Sequence, residues 1–82
     1  MTALQRANAV VLWANLLLAQ TEQRHLSHEA ESAVLQAAER QLNEAKINWH
    51  TFDLANVRKQ SDSAYQLGVN ARDALRKKLN LR

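Results

Sequence analysis

The chain has no cysteine and no proline, and its single glycine is Gly68. Without cysteine it forms no disulfide and no thiolate metal site, and that composition fits a reducing cytoplasm, the compartment expected here. Proline and glycine supply most abrupt helix stops and most turns with positive φ. A chain nearly devoid of both has few tight turns, which argues for a few long helices and against a β-sandwich. Valine, isoleucine and threonine are also sparse and never fall into alternating runs.

Long apolar stretches are missing as well. The longest, AVVLWANLLLA at residues 9–19, is interrupted by Asn15 and falls well short of the ~20 residues that span a bilayer. Arg6 ahead of it gives a likeness to a signal peptide, but a cut after Ala19 would leave bulky Leu17 where a small residue is wanted. A buried core helix is the expectation.

What is present are strong helix formers: alanine, leucine, glutamine, glutamate, lysine and arginine. The fold class follows as all-α. At 82 residues there is room for one domain, 1–82, which buries only about 60–65% of the surface its unfolded form exposes. Regular helix packing or a partner usually compensates for so thin a margin.

A helix is expected over about residues 3–24, opened by a capping box of Thr2 and Gln5. Its stripe of Leu4, Ala7, Val11, Ala14 and Leu18 is widened by Val10, Leu12, Trp13, Leu16 and Leu17 to most of the circumference. A helix apolar nearly all round is buried on more than one side. Arg24-His25-Leu26-Ser27 is the best turn, with Ser27 as N-cap and Glu29 and Glu31 where the macrodipole favours negative charge.

The second helix is expected over about 28–52, carrying Leu35, Ala38, Leu42, Ala45, Trp49 and Phe52 at 3-4 spacing, a coiled-coil-like seam. Arg40 and Glu44 stand at i,i+4 as an ion pair. A break is expected within 51–63, followed by a helical arm over about 61–80. Gly68 weakens that arm by about 1 kcal/mol relative to alanine. The architecture is a helical hairpin or three-helix bundle, and self-association is expected to cover the surplus apolar surface of residues 9–19.

Chemistry-bearing patterns are thin. Glu22, His25 and His28 copy half of a di-iron helix motif, in a single copy and beside a turn. His50 and Asp53 stand three apart and can share a helix face, but no activated nucleophile or oxyanion site accompanies them. No GxSxG, glycine-rich phosphate loop or HExxH occurs. The expectation is a non-enzyme with no cofactor and no metal.

Periodicity places Trp13, Trp49 and Phe52 in the core and leaves Tyr65 as the aromatic expected at the surface, paired with Arg72. Charge is segregated. Glu29, Glu31, Glu39, Glu44 and Asp53 make the middle acidic, whereas Arg58, Lys59, Arg72, Arg76, Lys77, Lys78 and Arg82 face only Asp62 and Asp73 near the C-terminus. The basic arm either docks on the acidic second helix or meets a partner. Tyr65, Arg72, Arg76, Lys77, Lys78 and Arg82 are the candidate partner-binding residues.

The leading expectation is a non-catalytic protein-interaction module, an adaptor, chaperone-like cofactor or inhibitor of a larger protein, with a homodimer as one assembly. In size and composition the chain resembles the small helical proteins of bacteria and their mobile elements, a resemblance that assigns no residues. The alternative is a small basic nucleic-acid-binding or regulatory protein using the C-terminal helix. A membrane-surface role for residues 4–19 ranks last.

Overall fold

Thr2 and Gln5 open the first helix as the sequence predicts. The Thr2 hydroxyl accepts from the Gln5 backbone N–H at 3.1 Å, and the Gln5 side chain accepts from the Thr2 N–H at 2.9 Å. In the computed structural model, which describes residues 2–80, this helix is α1 (Ala3–Gln23). It is followed by α2 (Glu29–His50) and α3 (Leu54–Lys78). No strand occurs among the described residues.

In place of glycine, His25, Phe52 and Asn80 take the left-handed conformation just past the three helices, at φ of 57°, 60° and 60°. After α1, the His25 N–H donates to the Glu22 carbonyl and the Leu26 N–H to that of Thr21. After α2, Phe52 donates to Trp49 and Asp53 to Asn48. Both patterns satisfy end carbonyls by the paired bonds of a Schellman cap. Histidine and asparagine tolerate this backbone moderately well, but a bulky phenylalanine there is an outlier.

The interior follows a 3-4 repeat, with Val11 buried beside it. Buried positions are Ala7, Val10, Val11, Ala14, Leu17 and Thr21 on α1, Glu31, Leu35, Ala38, Leu42 and Ala45 on α2, and Val57, Ser61, Ala64, Gly68, Ala71 and Leu75 on α3. Alanine, serine and glycine at so many of these sites let the helix axes come close together. The long third helix is the common partner: it packs along both α1 and α2, which touch each other less.

Cross-links fix the register. Val10 and Val11 lie against Gly68, Trp13 lies beneath Arg72, and Arg24 Nη1 donates to the Leu79 carbonyl at 3.5 Å. These pairings advance together, so α1 and α3 run parallel. Asn48 donates to Gln60 at 2.7 Å and Lys78 reaches Glu31, so α2 and α3 run antiparallel.

Several expectations need correction. The third helix starts at Leu54, not near Ser61. Asp53 is its cap, accepting from the Asn56 backbone at 3.4 Å and side chain at 2.7 Å, and Val57 then begins the buried repeat. The polar run 60–63 does not break the helix because Gln60 bonds α2 and Ser61 turns fully inward. His28, not Ser27, stands at the cap position of α2, and it makes no side-chain capping bond. The Ser27 carbonyl instead accepts from Lys78. No Arg40–Glu44 ion pair forms among the described residues, and Glu44 turns to Gln60 at 3.4 Å.

The far end of the bundle is closed by Lys78, whose ammonium lies 2.9 and 3.0 Å from the two Glu31 oxygens. Burial works to raise the Glu31 pKa. The hydrogen bond from Lys78, a backbone hydrogen bond, and the charges of Lys78 and His28 outweigh it and hold the carboxyl below its ordinary value of 4.5. A lowered folded pKa means the contribution is present above 4.5 and is lost as pH falls through the folded value. Glu31→Gln is therefore expected to destabilise by about 1–2 kcal/mol at pH 7. Urea unfolding at neutral pH and near pH 3 checks this, since the gap between variant and parent should close in acid.

Candidate docking surface at the hairpin end

The side chains that the core leaves out are the most informative ones. Leu12, Trp13, Leu16, Leu26, Ile47, Trp49, Phe52 and Leu54 are all exposed. This corrects the placement of Trp13, Trp49 and Phe52 in the core. It corrects Tyr65 in the opposite direction, for Tyr65 is half-buried and packs on the core.

The reason is local. The α2 stripe runs correctly through Ala45, but the chain turns at Thr51 to Asp53, so Phe52 falls in the turn and its ring, 83% exposed, points away from any seam. Trp49, 51% exposed, continues the stripe to a groove that separates it from the first turn of α1. The parallel register sets Ala3 opposite residues 60–61 of α3. About two helical turns of α3, residues 54–60, thus extend past α1, together with the α2 turns that pair with them.

A groove of about 700 Å³ lies at that step. The first turn of α1, Thr2 to Arg6, forms one side, and Trp49, Leu54, Val57, Arg58 and Asp62 form the other. Its floor is apolar, from Leu4, Trp49, Leu54 and Val57. Its rim carries Arg6 and Arg58, neither in an ion pair among the described residues, and Asp62. The first turn of α1 lies at one side of it, so the N-terminal end of that helix adds partial positive charge there.

A second exposed patch lies midway along α1. The Arg72 guanidinium sits 4.8 Å from the Trp13 ring centroid and that of Arg76 5.9 Å. These are cation–π distances, and Leu12 and Leu16 stand beside Trp13 on α1. Arg72 also binds Asp73 at 3.1 Å.

The candidate partner-binding residues are thus dispersed. Tyr65 packs inward, Arg72 and Arg76 flank Trp13, Lys78 docks on Glu31, and Lys77 is exposed. Arg82 lies outside the described residues. Arg72 pairs with Trp13 and not with Tyr65.

Acid–base groups do not converge. Asp53 is committed to capping α3, which removes it as a partner for His50. His28 Nε2 lies 3.4 Å from Glu22 and its Nδ1 3.0 Å from the Leu26 carbonyl, while His25 occupies the left-handed cap. Among the described residues, no three His, Asp or Glu side chains come together as metal ligands, and no helix is long and apolar enough to cross a membrane.

No protein-family model, curated protein or solved structure matches this chain. The functional reading rests on the surface itself.

The hairpin-end residues were missed in the sequence because Trp49 and Phe52 extend a clean 3-4 stripe. The available signal was Thr51 and Asp53, both recognisable as helix-ending residues. Placing the turn there puts Phe52 in it, and a turn residue cannot belong to a helix seam.

Proposed function

We propose that this chain is a non-catalytic protein-interaction module, an adaptor, chaperone-like cofactor or inhibitor of a larger protein, that engages its partner through the hairpin end. The observation that supports this most directly is Phe52. Folding gains little from an aromatic ring 83% exposed on a left-handed backbone that disfavours it. Trp49, Leu54 and Ile47 cluster with it in sequence around the turn, and aromatic anchors of this kind dominate the energetics of protein interfaces.

The nucleic-acid alternative has less support. Arg72 and Arg76 already lie on Trp13 and Lys78 on Glu31, so phosphate binding by the C-terminal helix would draw on engaged cations. Homodimerisation would cover Leu12, Trp13 and Leu16 and is compatible with partner binding at the other site.

Phe52→Gly separates stability from function. Glycine relieves the left-handed strain at little cost elsewhere, so the variant is expected to be more stable than the parent by about 0.5–1 kcal/mol. The same change is expected to abolish partner capture. A photo-crosslinking phenylalanine at position 52, tested in lysate with and without nuclease treatment, should join the chain to one protein species in both. Crosslinks to nucleic acid alone, or undiminished capture by Phe52→Gly, would overturn the reading.

A further inference from the structure

The groove beside Leu4 is a break in a helix seam, and the seam defines what completes it. Over most of its length α3 is flanked by two helices, α2 on one side and α1 on the other. Among the described residues no helix lies on the α1 side of residues 54–60, yet the buried repeat of α3 already starts at Val57, and α2 still supplies Trp49. The same 3-4 pattern that binds α1 therefore continues for about two turns past its end.

The charges at the step are selective. Arg6 and Arg58 stand on its rim without ion-pair partners among the described residues, against the single carboxylate of Asp62. The N-terminus of α1 faces the step end-on. An incoming helix in line with α1 would place the partially negative carbonyl end of its dipole there. At about 700 Å³ the groove has room for leucine-sized side chains.

We propose that this groove takes a partner protein's amphipathic helix, seated in line with α1. Its apolar face lies on Leu4, Trp49 and Val57, and its carboxylates meet Arg6 and Arg58. The proposal rests on reading the hairpin end as a protein-docking surface. Continuity with the α1–α3 interface gives the orientation, and the unpaired arginines give the sign.

The test uses two end-blocked peptides of the same leucine heptad pattern, one carrying glutamate at the flanking positions and the other lysine. Each is titrated into the full chain and followed by amide-resolved NMR. The glutamate peptide should shift residues 2–6 and 49–62, and the pair Arg6→Glu with Arg58→Glu should weaken it by about tenfold or more. Both arginines are exposed, and an unchanged thermal melt of the double variant would exclude unfolding as the cause.

Equal or tighter binding of the lysine peptide, or shifts centred on Leu12 and Leu16, would overturn the proposal. So would a dimer in sedimentation that Leu54→Asp separates, which would make a second copy the occupant. Phosphatidylglycerol vesicles shifting the same amides would reassign the groove to a membrane surface. If the glutamate peptide fails to bind while position 52 still crosslinks to a protein, this inference falls and the interaction-module reading stands.

Discussion

Gly68→Leu is expected to unfold the chain or leave it barely folded at room temperature. A Cβ at position 68 would sit 2.8 Å from Val10 Cγ1, 3.2 Å from Val11 Cγ2 and 3.5 Å from the Val11 backbone nitrogen. The first distance is shorter than carbon atoms tolerate, and valine has little freedom to turn aside because its χ1 is stiff in a helix. Even alanine forces α1 and α3 apart. The strain, about 1–3 kcal/mol for overpacking, exceeds the roughly 1 kcal/mol that alanine gains over glycine in a helix.

Gly68→Ala should therefore lose about 1 kcal/mol net by the balance of those two effects, and leucine, with three more carbons to place, several times that. Val10→Ala removes the clashing methyl. In a double-mutant cycle, Gly68→Ala should cost less in the Val10→Ala background than alone, because the two sites share one contact. Urea unfolding of the four proteins measures this. A Gly68→Ala variant more stable than the parent would mean that α1 and α3 do not approach as closely as this contact requires.

Gly68 also shows what sequence alone conveys. Read along the chain, one glycine within a helical pattern is a weak point in an otherwise regular stripe. Its value lies in what stands opposite, and no local pattern reveals that Val10 and Val11 are there. The all-α class and the capping box were legible because each depends on residues within one turn of one another. So were Leu35, Ala38, Leu42 and Ala45, whose spacing remains in phase with the seam.

The errors share one cause. Periodicity tells which face of a helix is apolar, but not how far the neighbouring helix extends. Trp49 is in phase with Ala45 and faces the first turn of α1 only across an open groove, so correct phase still leaves it exposed. Tyr65 looked like a surface residue beside basic neighbours, and its half-burial depends on how α3 sits against the rest of the bundle. Lys78 is a clearer case. The notion that the basic arm lies on the acidic helix holds for this one cation, which finds Glu31, whereas Arg72 and Arg76 find an aromatic ring. Charge segregation along the sequence pointed to an attraction between segments, and the register of α3 decided which side chains take part.

Adjacent leucines on α1 give the sharpest test of that register. Leu17 is 4% exposed and Leu16 60%, although one peptide bond separates them and both lie in the same apolar run. Leu17 stands in the 3-4 series with Ala14 and Thr21, facing inward, and one residue earlier the helix has turned by about 100°. Leu17→Ala is therefore expected to cost about 2–5 kcal/mol, from lost burial and the cavity left behind. That is a large fraction of the stability of a domain this small. Leu16→Ala should change stability by less than about 0.5 kcal/mol, as exposed positions do. Thermal melts of the two variants at several concentrations check both values and add a further reading. If the Leu16 face is covered by a second copy, the Leu16→Ala loss grows with protein concentration, because association stabilises by mass action. A Leu16→Ala cost as large as that of Leu17→Ala at every concentration would place the outer face of α1 in the core and overturn the register derived from Gly68.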